Sequence, residues 1–179
     1  MSDNLSEIDD VKLPARRILI VEDEALIAMD LKGRLEDLRY DVPAIGDSAD
    51  MALDLACCHN PDLILMDIRL RDGSDGIEAA AAIRQQLDVP VIFLTSHSDV
   101  ETLERARLTE PFGYILKPFG SVSLRAVIEI ALQKHESERS LRKTVSWYAA
   151  IETRRLRRLF DGYAFGPDEY ALAYRPVRR

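Results

Sequence analysis

The chain lacks several features that would each imply a different kind of protein. Its 179 residues hold no run of about 18 apolar side chains, so no transmembrane helix is predicted. The opening Met1-Ser2-Asp3-Asn4 is polar and acidic, without the basic and then apolar pattern of a secretory signal, which points to the cytoplasm. Only two cysteines are present, Cys57 and Cys58, and neighbouring cysteines rarely close an unstrained disulfide. The pair reads as small residues on a packed helix of a cytosolic protein, in preference to the alternative of a vicinal redox or metal pair. No Gly-x-x-x-x-Gly-Lys loop occurs, so a nucleotide bound here is not the expected phosphate donor. Neither an internal repeat nor a low-complexity tract is visible.

What is present divides sharply by charge. The net charge of -7 conceals two parts: residues 1–135 carry 14 Lys and Arg against 25 Asp and Glu, whereas 136–179 carry 10 against 6. The first part is acidic by 11 charges and the second basic by 4. Residues 1–14 read as a flexible leader, 15–135 as the folded domain, 136–160 as a helical extension and 161–179 as an irregular tail.

Within 15–135, short apolar runs alternate with helical patterns five times. Strands are expected over Arg16–Val21, Asp41–Ile45, Asp62–Met66, Val89–Leu94 and Phe112–Leu116. Helices are expected over Ala25–Arg39, from a Ser48 cap to His59, over Ile77–Leu87, over Asp99–Leu108, and from Ser121 to His135 and onward. The first helix offers Leu26, Ile27, Leu31, Leu35 and Leu38 to a core, and the third offers Ile77, Ala80, Ala81, Ala82, Ile83 and Leu87. Five β/α units predict an α/β fold: a doubly wound, flavodoxin-like parallel sheet in the order 2-1-3-4-5, with helices on both faces.

Four of the apolar runs stop at chemically active residues. Ile18-Leu19-Ile20-Val21 ends at Glu22-Asp23-Glu24, Leu63-Ile64-Leu65-Met66 at Asp67, Val91-Ile92-Phe93-Leu94 at Thr95-Ser96, and Tyr114-Ile115-Leu116 at Lys117-Pro118. Parallel strands carry their sites at the carboxyl edge, so acids, a hydroxyl and a lysine should meet there. Converging carboxylates repel one another unless a cation joins them. A hard ion that keeps several waters and takes few carboxylates, Mg²⁺, suits such a cluster better than Ca²⁺. Phosphoryl chemistry at such an ion needs a nucleophile, a counter-charge and a hydroxyl donor, and Asp67, Lys117 and Thr95 supply one each.

These segments, taken together with Phe119 after Lys117-Pro118, resemble the receiver domains of two-component response regulators over about residues 15–135. The resemblance implies that Glu22 and Asp23 hold Mg²⁺, Glu22 through a water, along with Asp67 and the backbone carbonyl of Arg69. It implies that Asp67 accepts a phosphoryl group from a histidine kinase or phosphotransfer protein, and that Thr95 and Lys117 engage the phosphoryl oxygens. Tyr114 would act as a switch behind Thr95, and the Lys117-Pro118 bond would be cis. Arg69 and His97, two residues after Asp67 and Thr95, are expected to shield the phosphoryl group from water. A signalling module rather than a turnover enzyme is implied, and a phosphohydrolase is disfavoured because no dedicated general acid accompanies Asp67.

The region after His135 continues helically, with Leu141, Val145, Tyr148, Leu156 and Leu159 in an imperfect 3-4 spacing interrupted by Glu152 and Arg155. A downstream protein partner is expected, and a homodimer could form through the fourth helix, fifth strand, fifth helix or the C-terminal helix. The run Arg154-Arg155-Leu156-Arg157-Arg158 raises the alternative of a transcriptional or RNA-level regulator acting through the basic tail. Nucleic-acid binding is not the favoured expectation, because the whole chain is acidic and no helix-turn-helix pattern follows.

Overall fold

In a computed structural model of the chain, the described residues are 15–70, 75–96 and 100–160. The expectations for the leader 1–14, the tail 161–179 and His97 lie outside them. The chain divides into two compact units, Met1–His135 and Glu136–Arg179.

The first unit alternates strand and helix: β1 Ile18–Val21, α1 Ala25–Asp37, β2 Ile45–Gly46, α2 Ala49–His59, β3 Leu63–Asp67, α3 Gly76–Gln86, β4 Val91–Ser96, α4 Val100–Arg107 and β5 Gly113–Lys117. Helix α5, Ser121–Phe160, begins in this unit and continues into the second. The strands pair in parallel in the order β2-β1-β3-β4-β5, as the five alternations predict. No described helix is long and apolar enough to cross a membrane.

Strand alternation sorts the apolar side chains into two cores, because successive residues point to opposite faces of a sheet. Ile18, Ile20, Leu63, Leu65, Ile92 and Leu94 join Leu31 and Leu35 of α1 and Leu124, Ile128 and Ala131 of α5. Leu19, Val21, Ile64, Met66 and Phe93 join Ala52 and Ala56 of α2, Ile77 and Ile83 of α3, and Ala106 of α4. With both faces covered, β1 and β3 are buried throughout, which explains why their sequences are continuous apolar runs rather than alternating ones.

Some local expectations are corrected. The second strand is only two residues, with Asp41 forming an isolated bridge to Arg17. Pro43 has no N–H for the ladder and lies between the bridge and the strand. Ser48 occupies the N-cap of α2 in an extended conformation, but its side chain makes no capping hydrogen bond. Leu26 is 88% exposed on α1, and Ala28 takes the buried position instead. On α3 the buried stripe is Gly76, Ile77, Ala79, Ala80 and Ile83, so Ala79 replaces Ala81 and Ala82 as core.

The helix that follows β3 starts at Gly76, and this position is fixed by space. A Cβ built on Gly76 would stand 1.9 Å from the backbone oxygen of Asp67. The Gly76→Ala variant is expected to lose about 1–3 kcal/mol of stability, the range for overpacked sites. Urea unfolding measures it, and a variant as stable as the parent would show that the junction yields without cost.

Candidate phosphoacceptor site

Parallel register brings the strand ends level. Val21 pairs with Met66, Asp67 with Leu94, Thr95 with Leu116 and Ser96 with Lys117. The residues just beyond β1 and at the ends of β3, β4 and β5 therefore share one edge. Glu22 is 1% exposed and Asp67 7%, so both carboxylates have left most of their water. Lys117 Nζ donates to Glu22 Oε2 and to Asp67 Oδ2, each at 2.6 Å. The backbone N–H of Arg69 donates to Asp67 Oδ1 at 3.0 Å, and that of Glu24 to Glu22 Oε1 at 3.4 Å.

Glu22, Asp23 and Asp67 each offer a carboxylate oxygen within 4.8 Å of the others. Three hard oxygen donors so close, with one lysine as their counter-charge, fit a small divalent cation such as Mg²⁺. The Lys117-Pro118 peptide is cis, as the resemblance implies.

Burial dominates the electrostatics. It pushes the Glu22 carboxyl up from 4.5 to about 7; Lys117 opposes this through its hydrogen bond and charge, while the charge of Asp67 adds to it. Burial also works against the Lys117 charge, but hydrogen bonds to Asp67 and Glu22 outweigh it and hold the ammonium above its ordinary value. Because the folded state binds the Glu22 proton more tightly than the unfolded chain, the contribution of Glu22 to stability falls as pH rises from 4.5 through about 7. Relative to Glu22→Gln, the parent should lose up to about 1.4 kcal/mol per pH unit across that window. Denaturant unfolding of both proteins at several pH values checks this, and a constant difference would refute the burial argument.

Thr95 is the buried penultimate residue of β4, one residue past the partner of Asp67. Tyr114 lies half-buried on β5 with its ring 6.0 Å from that of Phe93, centre to centre, and packs on the core shared with α4. Its hydroxyl is buried and has no hydrogen-bond partner among the described residues; burial raises its pKa, and the charge of Arg107 partly opposes the shift. The structure thus gathers Glu22, Asp23, Asp67 and Lys117 directly, with Thr95 on the adjoining strand and Tyr114 one layer away.

Sequence reasoning missed two contributors. Gly76 lets α3 approach the acceptor, and its only signal was its place between a turn-rich segment and an apolar helix. Asp75 is the N-cap of α3 and accepts the Ile77 N–H at 2.8 Å. Away from the site, His135 has its Nε2 3.1 Å from Asp88 Oδ1 and meets Phe112 edge-on.

Comparison with known proteins points the same way. The family model of the response regulator receiver domain matches residues 18–129. The chain is 37% identical over 142 residues to the transcriptional regulatory protein PdtaR of Mycobacterium tuberculosis, across 79% of this chain and 69% of that one. It is 40% identical over 126 residues to the phyllosphere-induced regulator PhyR of Methylorubrum extorquens, across 70% of this chain and 46% of PhyR. Among solved structures, the signal receiver domain of a modulated diguanylate cyclase from Desulfovibrio desulfuricans is 41% identical, with a TM-score of 0.66 over 69% of this chain and 98% of that one.

Proposed function

The chain belongs to the response regulator receiver family, and on that footing we propose that Asp67 is its phosphoacceptor, working in a Mg²⁺-dependent reaction with a histidine kinase or phosphotransfer protein. The observation that carries this reading is Lys117 Nζ, held 2.6 Å from both Glu22 and Asp67 at the strand ends. An Asp67 carboxylate oxygen attacks the phosphorus of a phosphohistidine. The O–P bond forms as the P–N bond breaks, and the imidazole departs with the electron pair and takes up a proton. Lys117, already beside the acceptor, pairs with the oxygens of the arriving group, and the Thr95 hydroxyl donates to another of them. Arg69 N–H orients the acceptor through Oδ1.

Glu22, Asp23, Asp67 and the Arg69 carbonyl would hold the Mg²⁺, which when bound neutralises charge on the transferring phosphoryl group. Tyr114 and the surface of α4, β5 and α5 relay the modified state to a downstream protein partner. Leu141, Val145, Tyr148 and Ile151 lie exposed on α5, which supports a homodimer through that helix. We place this module in the cytoplasm and assign it signalling rather than turnover.

Incubation with acetyl phosphate and Mg²⁺ tests the proposal. One phosphoryl group per chain should appear by intact mass, and EDTA should prevent it. No mass gain, or a gain indifferent to EDTA, overturns the reading.

A further inference from the structure

The described side chains of helix α4 are those of residues 104–107. Among its described side chains only Ala106 enters a core. Polar contacts tie α3 to α4 and to the turn that follows it at two places. In the last turn of α3, Arg84 Nη1 donates to the carbonyls of Thr109 and Glu110, at 2.5 and 2.9 Å, and its guanidinium pairs with the Glu110 carboxylate. At the first turn, Arg105 of α4 pairs with Asp75, the N-cap residue of α3.

Asp75 is also tied to the phosphoacceptor strand. It forms an isolated antiparallel bridge with Arg69, whose N–H holds Asp67 Oδ1. Gly76 N–H donates to the Ile68 carbonyl at 3.1 Å, and Gly76 abuts the Asp67 carbonyl. One carboxylate thus caps α3 through Oδ1 and receives α4 through Oδ2, while its backbone lies against the exit of β3.

We propose that the Asp75–Arg105 pair is a positioning clamp that couples α4 to the backbone around Asp67, as a route separate from Thr95 and Tyr114. The proposal rests on Asp67 being the phosphoacceptor. With 52% of the Arg105 side chain exposed, the pair adds little to global stability, so its effect is on position. Coupling between α4 and the acceptor is reciprocal: whatever loosens α4 at Arg105 also loosens the acceptor backbone, and the reverse.

The test uses the full chain with Asp75→Asn, which keeps a good N-cap, Arg105→Gln, the double variant, and Arg105→Lys. In Arg105→Gln, amide exchange at Gly76 and Ile77 should rise by about threefold or more, and phosphorylation of Asp67 by acetyl phosphate should slow by about the same factor. The double variant should do no more than the stronger single one, and Arg105→Lys should recover part of both effects. Unchanged exchange at Gly76 and Ile77 in Arg105→Gln overturns the clamp, as do single-variant effects that simply multiply in the double. A parent chain that takes no phosphoryl group refutes the acceptor reading instead, and the exchange measurements then still decide whether α4 and the β3 exit are linked.

Discussion

Asp67→Asn is expected to abolish phosphorylation while leaving the chain folded. Asparagine keeps an Oδ1 for the Arg69 N–H but has no anionic oxygen with which to attack phosphorus. The substitution removes one of the two carboxylates that Lys117 holds, and it also removes a negative neighbour of Glu22. Two buried acids crowding one lysine become one acid paired with one lysine, so unfolding should occur at no lower denaturant concentration than in the parent. The Glu22 carboxyl should titrate lower, because the charge of Asp67 is one of the causes that raise it. Mass spectrometry after incubation with acetyl phosphate reads the first result and equilibrium unfolding the second. Residual incorporation at the parental rate would mean that another residue is the acceptor.

Lys117→Met should have the opposite profile, damaging stability as well as chemistry. The variant strands Glu22 and Asp67 beside each other in a buried site with no cation. Breaking a buried pair in this way costs about 3–5 kcal/mol. Loss of the positive group from the path of the transferring phosphoryl should slow phosphorylation by about 10²–10³, as when one preorganised charge-stabilising donor is removed. Two additions should restore part of the stability. Mg²⁺ supplies the missing positive charge and stabilises the folded state by mass action, and a lower pH protonates Glu22. If Lys117→Met proves as stable as the parent in EDTA at neutral pH, the lysine is not what holds the acids together.

Much of this was readable because burial on both faces leaves an unambiguous trace. β1 and β3 are buried at every position, so the residue where each run stops marks the sheet edge and locates Glu22 and Asp67; Lys117 ends β5, a partly exposed strand, and is marked by the proline that follows it. Features decided by neighbours distant in sequence were not readable. Leu26 fits a helical stripe by spacing, yet it faces outward because Ala28, Leu31 and Leu35 already fill the side that packs on the sheet. Gly76 looked like turn composition, whereas its smallness answers to the Asp67 carbonyl. Asp75 and Arg105 are 30 residues apart, and no local pattern pairs them. Ser48 had the composition of a cap without making the cap hydrogen bond, since the residue type permits that bond but does not compel it.

The hydroxyl of Tyr114, buried and without a hydrogen-bond partner among the described residues, sets a cost on the position of that side chain. A buried polar group without a partner costs about 1–3 kcal/mol, so the side-chain position seen here carries that handicap against any arrangement in which the hydroxyl finds an acceptor or water. Since about 1.4 kcal/mol is a tenfold change in population, an arrangement of Tyr114 that gave its hydroxyl a partner would gain about that factor from this one bond.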